Sequence, residues 1–97
     1  MPTHEESPQF LRDYQRLTEN QQALFWRAVE KLREDLDAGK PPREGLRVKG
    51  VRSRPGTYEL TWAPDGRAFF KYGPQKQPGK VHVIWLRIGT HDIFGNR

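Results

Sequence analysis

Between residues 10 and 36 apolar side chains return every three to four positions, and from residue 57 onward they return every second position. The chain therefore divides into a helical half and a stranded half. Phe10, Tyr14 and Leu17 share one face of a first helix, preceded by Ser7 as N-cap and by Pro8, whose missing N–H is harmless in a first turn. Thr18 and Gln21 form a T-x-x-Q capping box that opens a second helix. Its apolar stripe is Phe25, Ala28, Val29, Leu32 and Leu36. Gly39 stands where a left-handed residue ends a helix, and Pro41 and Pro42 keep it from resuming. The short joint between the two helices predicts an antiparallel pair.

In the second half, residues 57–62 alternate with Tyr58, Leu60 and Trp62 on one face. Ala63, Pro64, Asp65 and Gly66 form a turn, and residues 67–72 resume as a strand. On that strand Arg67, Phe69 and Lys71 share one face, and Ala68, Phe70 and Tyr72 share the other. After the polar loop 73–80, residues 81–88 are apolar on both faces, the pattern of a central strand covered on two sides. Residues 46–51 add a weaker strand, diluted by Gly50 and scattered charge. Gly89 and Thr90 are read as the turn that releases the chain from its last strand. The expected fold is α+β: two N-terminal antiparallel helices on one face of a small antiparallel sheet of three to four strands.

Length adds that residues 1–97 form a single domain, since a chain of this size has little surface left to found a second core. Cysteine is absent, which removes disulfides and thiolate metal sites, and no apolar run approaches the roughly 20 residues of a membrane span. No membrane partner is expected, and with no signal-peptide pattern in residues 1–6 a cytoplasmic location is. The net charge of +5 is unevenly spread: residues 1–39 carry 5 Lys/Arg against 8 Asp/Glu, whereas residues 40–97 carry 12 against 4. A concentrated positive surface of this kind suits phosphate-rich partners.

Antiparallel pairing would gather Arg47, Lys49, Arg67 and Lys71 on the face away from the helices, with His91 and Asp92 just past the last strand. Such a set suits metal-independent phosphodiester cleavage, which needs a proton acceptor, a proton donor and cations for the charge that builds on phosphorus. Histidine titrates near working pH, and a neighbouring carboxylate can orient its ring. The residues alone leave a second possibility equally open: a solvent-facing turn in which Asp92 caps its own backbone. His82, mid-strand, is read as a partly buried structural histidine, and His4 as part of a tail. Trp26, Trp62 and Trp85 are assigned to packing rather than to base stacking. Three separated histidines, without HExxH or clustered carboxylates, give no metal-ligand set.

The order and spacing of "FLRDYQRL", "KLREDLDAGKPP", "LRVKG", "GTYELTW", "DGRAFFKY" and "VHVIWLRIGTHDIF" resemble the RelE/ParE superfamily of small bacterial toxins, particularly its ribosome-dependent mRNA interferases of the RelE, YafQ and YoeB types. The resemblance implies the toxin of a type II toxin–antitoxin system, cutting mRNA in the ribosomal A site by 2'-hydroxyl attack, without metal or cofactor. It implies an antitoxin partner as well. In this correspondence Lys49, Arg67 and His91 are catalytic, Asp92 acts in proton transfer or orients His91, Arg47 and Lys71 contact phosphate, and Phe94 stacks on the substrate base or closes the site. The family opens with a short strand, whereas "MPTHEESPQ" has no apolar alternation, so that strand is missing or replaced. The same fold serves gyrase inhibitors of the ParE type, and a non-catalytic RNA-binding module is a third possibility.

Overall fold

The structure, a computed structural model, describes residues 3–90. Its elements in chain order are β1 (Thr3–Glu6), α1 (Pro8–Gln15), α2 (Glu19–Asp37), a 3-10 turn (Glu44–Leu46), β2 (Lys49–Gly50), β3 (Thr57–Ala63), β4 (Gly66–Gly73) and β5 (His82–Thr90). They form one sheet in the order β1-β5-β4-β3-β2, in which β1 runs parallel to β5 and the remaining neighbours are antiparallel.

Local chemistry fixes both helix starts. Ser7 Oγ accepts the Phe10 N–H at 3.1 Å, and the Thr18–Gln21 box closes in both directions, at 3.1 and 2.9 Å. α2 lays Phe25, Ala28, Val29 and Leu32 against Leu60, Ala68, Phe70, Val83, Trp85 and Ile88 of the sheet. Phe25 meets Trp85 edge-on at 5.0 Å and Phe10 at 5.6 Å, so an aromatic wedge joins both helices to β5. Gly39 takes the left-handed conformation (φ 70°) that ends α2. Beyond it, Arg43 grips the last turn of α2: its backbone N–H, Nε and Nη2 all donate to the Asp35 carboxylate, at 2.8 to 2.9 Å.

The expected sheet of three to four antiparallel strands is in fact five strands of mixed direction, and a strand precedes the helices. β1 escapes a pattern search because its side chains alternate by partner rather than by hydropathy. Thr3 and Glu5 both hydrogen-bond His82, while His4 bonds Glu6 at 2.6 Å and meets Trp26 edge-on at 6.1 Å. Where β1 stops, α1 takes over the outer edge of β5: buried Asp13 accepts the Ile88 N–H at 3.2 Å and the Arg87 Nε–H at 2.7 Å.

Two further expectations need correction. The strand proposed for residues 46–51 shrinks to Lys49–Gly50, because Leu46 is drawn into the core and Arg47 adopts φ 50° at the end of the 3-10 turn. Gly89 and Thr90 do not turn; they pair with Arg67 and Gly66 inside β5. β5 also carries a bulge, since Phe69 pairs with Arg87 but Phe70 pairs with Trp85, leaving Leu86 extra. The bulge switches which parity of β5 faces the core, so that both Trp85 and Ile88 are buried.

Candidate active site

Alternation along β3 and β4 turns Thr57, Glu59 and Thr61, then Arg67, Phe69 and Lys71, to the face opposite α2. Register aligns Lys49, Glu59, Phe69 and Arg87 in one row across four strands, and Thr61, Arg67 and Gly89 in the next. Glu59 is 3% exposed. Its Oε1 lies 3.9 Å from Lys49 Nζ and 3.8 Å from Arg67 Nε, so two of the sequence-predicted cations meet at one buried carboxylate. A carboxylate withdrawn from water needs such partners, because burial of an unpaired charge is costly. Lys49 stays 70% exposed, so its attraction to Glu59 is screened and its ammonium is open to an incoming anion.

Arg67 is held differently. Its Nη1 donates to the carbonyls of Gly66, Pro64 and Ala63 at 2.9, 3.2 and 3.3 Å, and the guanidinium thereby folds back over the β3–β4 turn. Nε faces Glu59, and Nη2 makes no hydrogen bond among the described residues. Gly66 is essential to this turn: a Cβ there would stand 2.4 Å from the Trp62 ring. A planar donor fixed on two sides with a third nitrogen available is preorganised for an oxyanion.

The β2–β3 loop passes over the same face, with the Arg54 guanidinium 5.8 Å from the centre of the buried Phe69 ring. Beside it, Lys49, Gly50, Val51, Arg52, Ser53 and Glu59 line a concavity of about 390 Å³. Lys71 is exposed and stands two positions beyond Phe69, toward Glu5 and His82. Arg47 is exposed on its left-handed turn and lies outside the strand expected to carry it. His91, Asp92 and Phe94 lie outside the described residues. The last described residue, Thr90, pairs with Gly66, next to Arg67 in the chain.

His82 matches its expected structural part: it is 3% exposed, with Nε2 donating to Glu5 Oε1 and Nδ1 bonded to the Thr3 hydroxyl, both at 2.7 Å. That hydrogen bond holds the Glu5 carboxyl below the usual range. Trp62 and Trp85 are buried as expected, and Trp26 packs at the core's margin, its indole N–H donating to the Tyr14 hydroxyl at 2.7 Å. Glu59 was not singled out in the sequence. The available signal was its register: counting back from the Ala63–Gly66 turn sets it beside Phe69, one row from Arg67 and opposite a basic strand.

No family model matches this chain, and no curated protein matches it. Solved structures do, and the fold they share with it is that of the RelE-like toxins. E. coli YafQ has a TM-score of 0.65 at 18% identity, covering 97% of this chain and 98% of that chain. A copper-bound mutant toxin from Helicobacter pylori has a TM-score of 0.68 at 18% identity, covering 96% and 98%. The archaeal RelE–RelB complex from Pyrococcus horikoshii gives 0.64 at 14% identity, covering 93% and 94%. At these identities the likeness is one of fold.

Proposed function

We propose that this protein is the toxin of a toxin–antitoxin pair and that it cuts messenger RNA on the ribosome, in the cytoplasm and without metal. The observation that carries this reading is the meeting of Lys49 and Arg67 at Glu59, on the face opposite α2, beside the strand end that His91 follows in the chain. In the reaction a 2'-hydroxyl oxygen bonds to the adjacent phosphorus while the bond from phosphorus to the 5'-oxygen breaks. One proton leaves the 2'-hydroxyl and one reaches the 5'-oxygen, giving a cyclic phosphate and a 5'-hydroxyl end. Arg67, through Nη2, and Lys49 stabilise the charge on the phosphoryl oxygens. His91 carries the proton and Asp92 shares in the transfer or orients its ring, Phe94 stacks on the substrate base, and Lys71 and Arg47 bind flanking phosphates.

The solved complexes of YafQ with DinJ and of RelE with RelB support an antitoxin as partner. The test programmes ribosomes with a defined message, adds the protein in EDTA and maps 5'-hydroxyl ends. Cuts in register with codons are expected. Equal cutting of free RNA would remove the ribosome from the proposal, and no cutting together with blocked gyrase supercoiling would replace it with the inhibitor activity found on the same fold.

A further inference from the structure

The β2–β3 loop, residues 51–56, is closed on itself. The Val51 N–H donates to the Thr57 carbonyl at 2.8 Å, the Arg54 N–H to the Val51 carbonyl at 3.0 Å and the Thr57 N–H to the Arg54 carbonyl at 3.0 Å. Pro55 fixes its own φ, and Gly56 supplies the left-handed residue (φ 83°) that returns the chain to β3. Arg52, Ser53 and Arg54, all exposed, are therefore displayed from a loop of defined shape.

The two arginines are placed differently. The Arg54 guanidinium lies 5.8 Å from the centre of the Phe69 ring, whereas the Arg52 side chain makes no hydrogen bond or ion pair among the described residues. Arg52 and Ser53 join Lys49 and Glu59 in lining the concavity of about 390 Å³, a volume in the range of small-molecule sites. Glu59 is the acid of this hollow and is already matched by Lys49 and Arg67, so Arg52 leaves it with surplus positive charge. Lys49, which lines the hollow and meets Glu59 together with Arg67, makes hollow and proposed active face one continuous cationic track.

We infer that this loop is a nucleotide subsite beside the reacting phosphate of a single-stranded RNA: the neighbouring phosphate enters the hollow against Arg52 and Lys49, the Ser53 hydroxyl meets its sugar–phosphate edge, and its base stacks on the Arg54 guanidinium. A guanidinium braced by an aromatic ring is a flat platform, and every base has a π-face to lay on it, so the subsite tolerates all four bases. An acidic peptide fits less well, because it satisfies Arg52 and Lys49 and leaves the Arg54 platform unused. That the nucleotide belongs to a message being cut rests on the toxin reading. The chemistry of the occupant does not: the anion follows from Arg52 and Lys49, and the planar ring from Arg54 on Phe69.

A trinucleotide of adenosine carrying 2'-O-methyl groups, which cannot be cut, titrated into the full chain and followed by NMR, tests the inference. Expected are shifts of the amides of residues 51–54 and of the Arg54 Nε–H. Arg52→Gln should lower the slope of log affinity against log salt by about 0.7, the share of one phosphate contact on a single strand. Arg54→Lys, which keeps the charge and removes the plane, should weaken the trinucleotide by about tenfold and leave an abasic version of it unaffected. An unchanged salt slope in the first variant, or unchanged trinucleotide binding in the second, would overturn the proposal. So would tetraglutamate shifting the loop as strongly as the trinucleotide does. Trinucleotide binding at the loop by a chain that cuts no message would sink the toxin reading and leave the subsite standing; codon-positioned cutting at an undiminished rate by a chain carrying both substitutions would do the reverse.

Discussion

The Asp13 carboxylate, 1% exposed on α1, closes on the Arg87 guanidinium of β5, accepting from Nε at 2.7 Å and from Nη2 at 3.3 Å. The same carboxylate takes the Ile88 N–H that β1 is too short to pair. The two partners are unequal, because the Arg87 side chain is 31% exposed and can turn to water whereas Asp13 cannot. Arg87→Leu is therefore expected to cost about 3–5 kcal/mol by stranding a buried charge, and Asp13→Asn distinctly less. Urea unfolding of both variants checks the order, and equal losses would contradict it.

At the β3–β4 turn the limit is steric. Gly66→Ala sets a methyl group 2.4 Å from the buried Trp62 ring, so ring or backbone must shift. A loss of about 1–3 kcal/mol is expected, as for other overpacked sites. Because the Gly66 carbonyl also holds Arg67, cleavage should fall in this variant even at temperatures where it stays folded.

For the proposed chemistry, His91→Gln and Arg67→Ala are each expected to reduce RNA cleavage by on the order of 100-fold or more while leaving the circular dichroism spectrum unchanged. Arg67→Lys should not restore activity, since a single ammonium cannot span the turn carbonyls and still present a nitrogen to phosphate. Full cleavage by the lysine variant would show that Arg67 acts as a point charge only.

Acid stability has two identifiable sources. The hydrogen bonds from Arg43 hold the Asp35 carboxyl below its usual range, as the bond from His82 does for Glu5. A depressed carboxyl contributes stability that is whole above its unfolded pKa, about 4, and is lost as pH falls through the lower folded value. Asp35→Asn and Glu5→Gln should each flatten the fall in stability below about pH 4, measured by urea titration at several pH values. An unaltered acid limb in both would place the acid sensitivity in other carboxylates.

What the sequence made legible was what neighbouring residues decide together. The Ser7 and Thr18 caps, the stripe from Phe25 to Leu32 and the Ala63–Gly66 turn each rest on contacts within a few positions. The strand Thr3–Glu6 rests on residues 77 to 79 positions away, and its polar side chains carry no periodic signal of burial. The sequence grouped Lys49 with Arg67 by charge and topology, and that grouping is present in the structure. Glu59, the residue around which they gather, looked like one more outward polar position of a strand. Arg47 was misplaced because a single left-handed residue moves a side chain out of a ladder, a change that composition does not reveal.

The parallel pairing of β1 with β5 sets an order on assembly. Thr3 and His82 are separated by 79 positions, so the contact between them closes nearly the whole described chain into one loop. The helices and the β3–β4 hairpin can form from local contacts during synthesis, but the edge of β5 has no partner until its own residues have been made. Among the described strands β1 thus waits longest for its place, and the sheet that carries Lys49 and Arg67 is finished only once β5 leaves the ribosome.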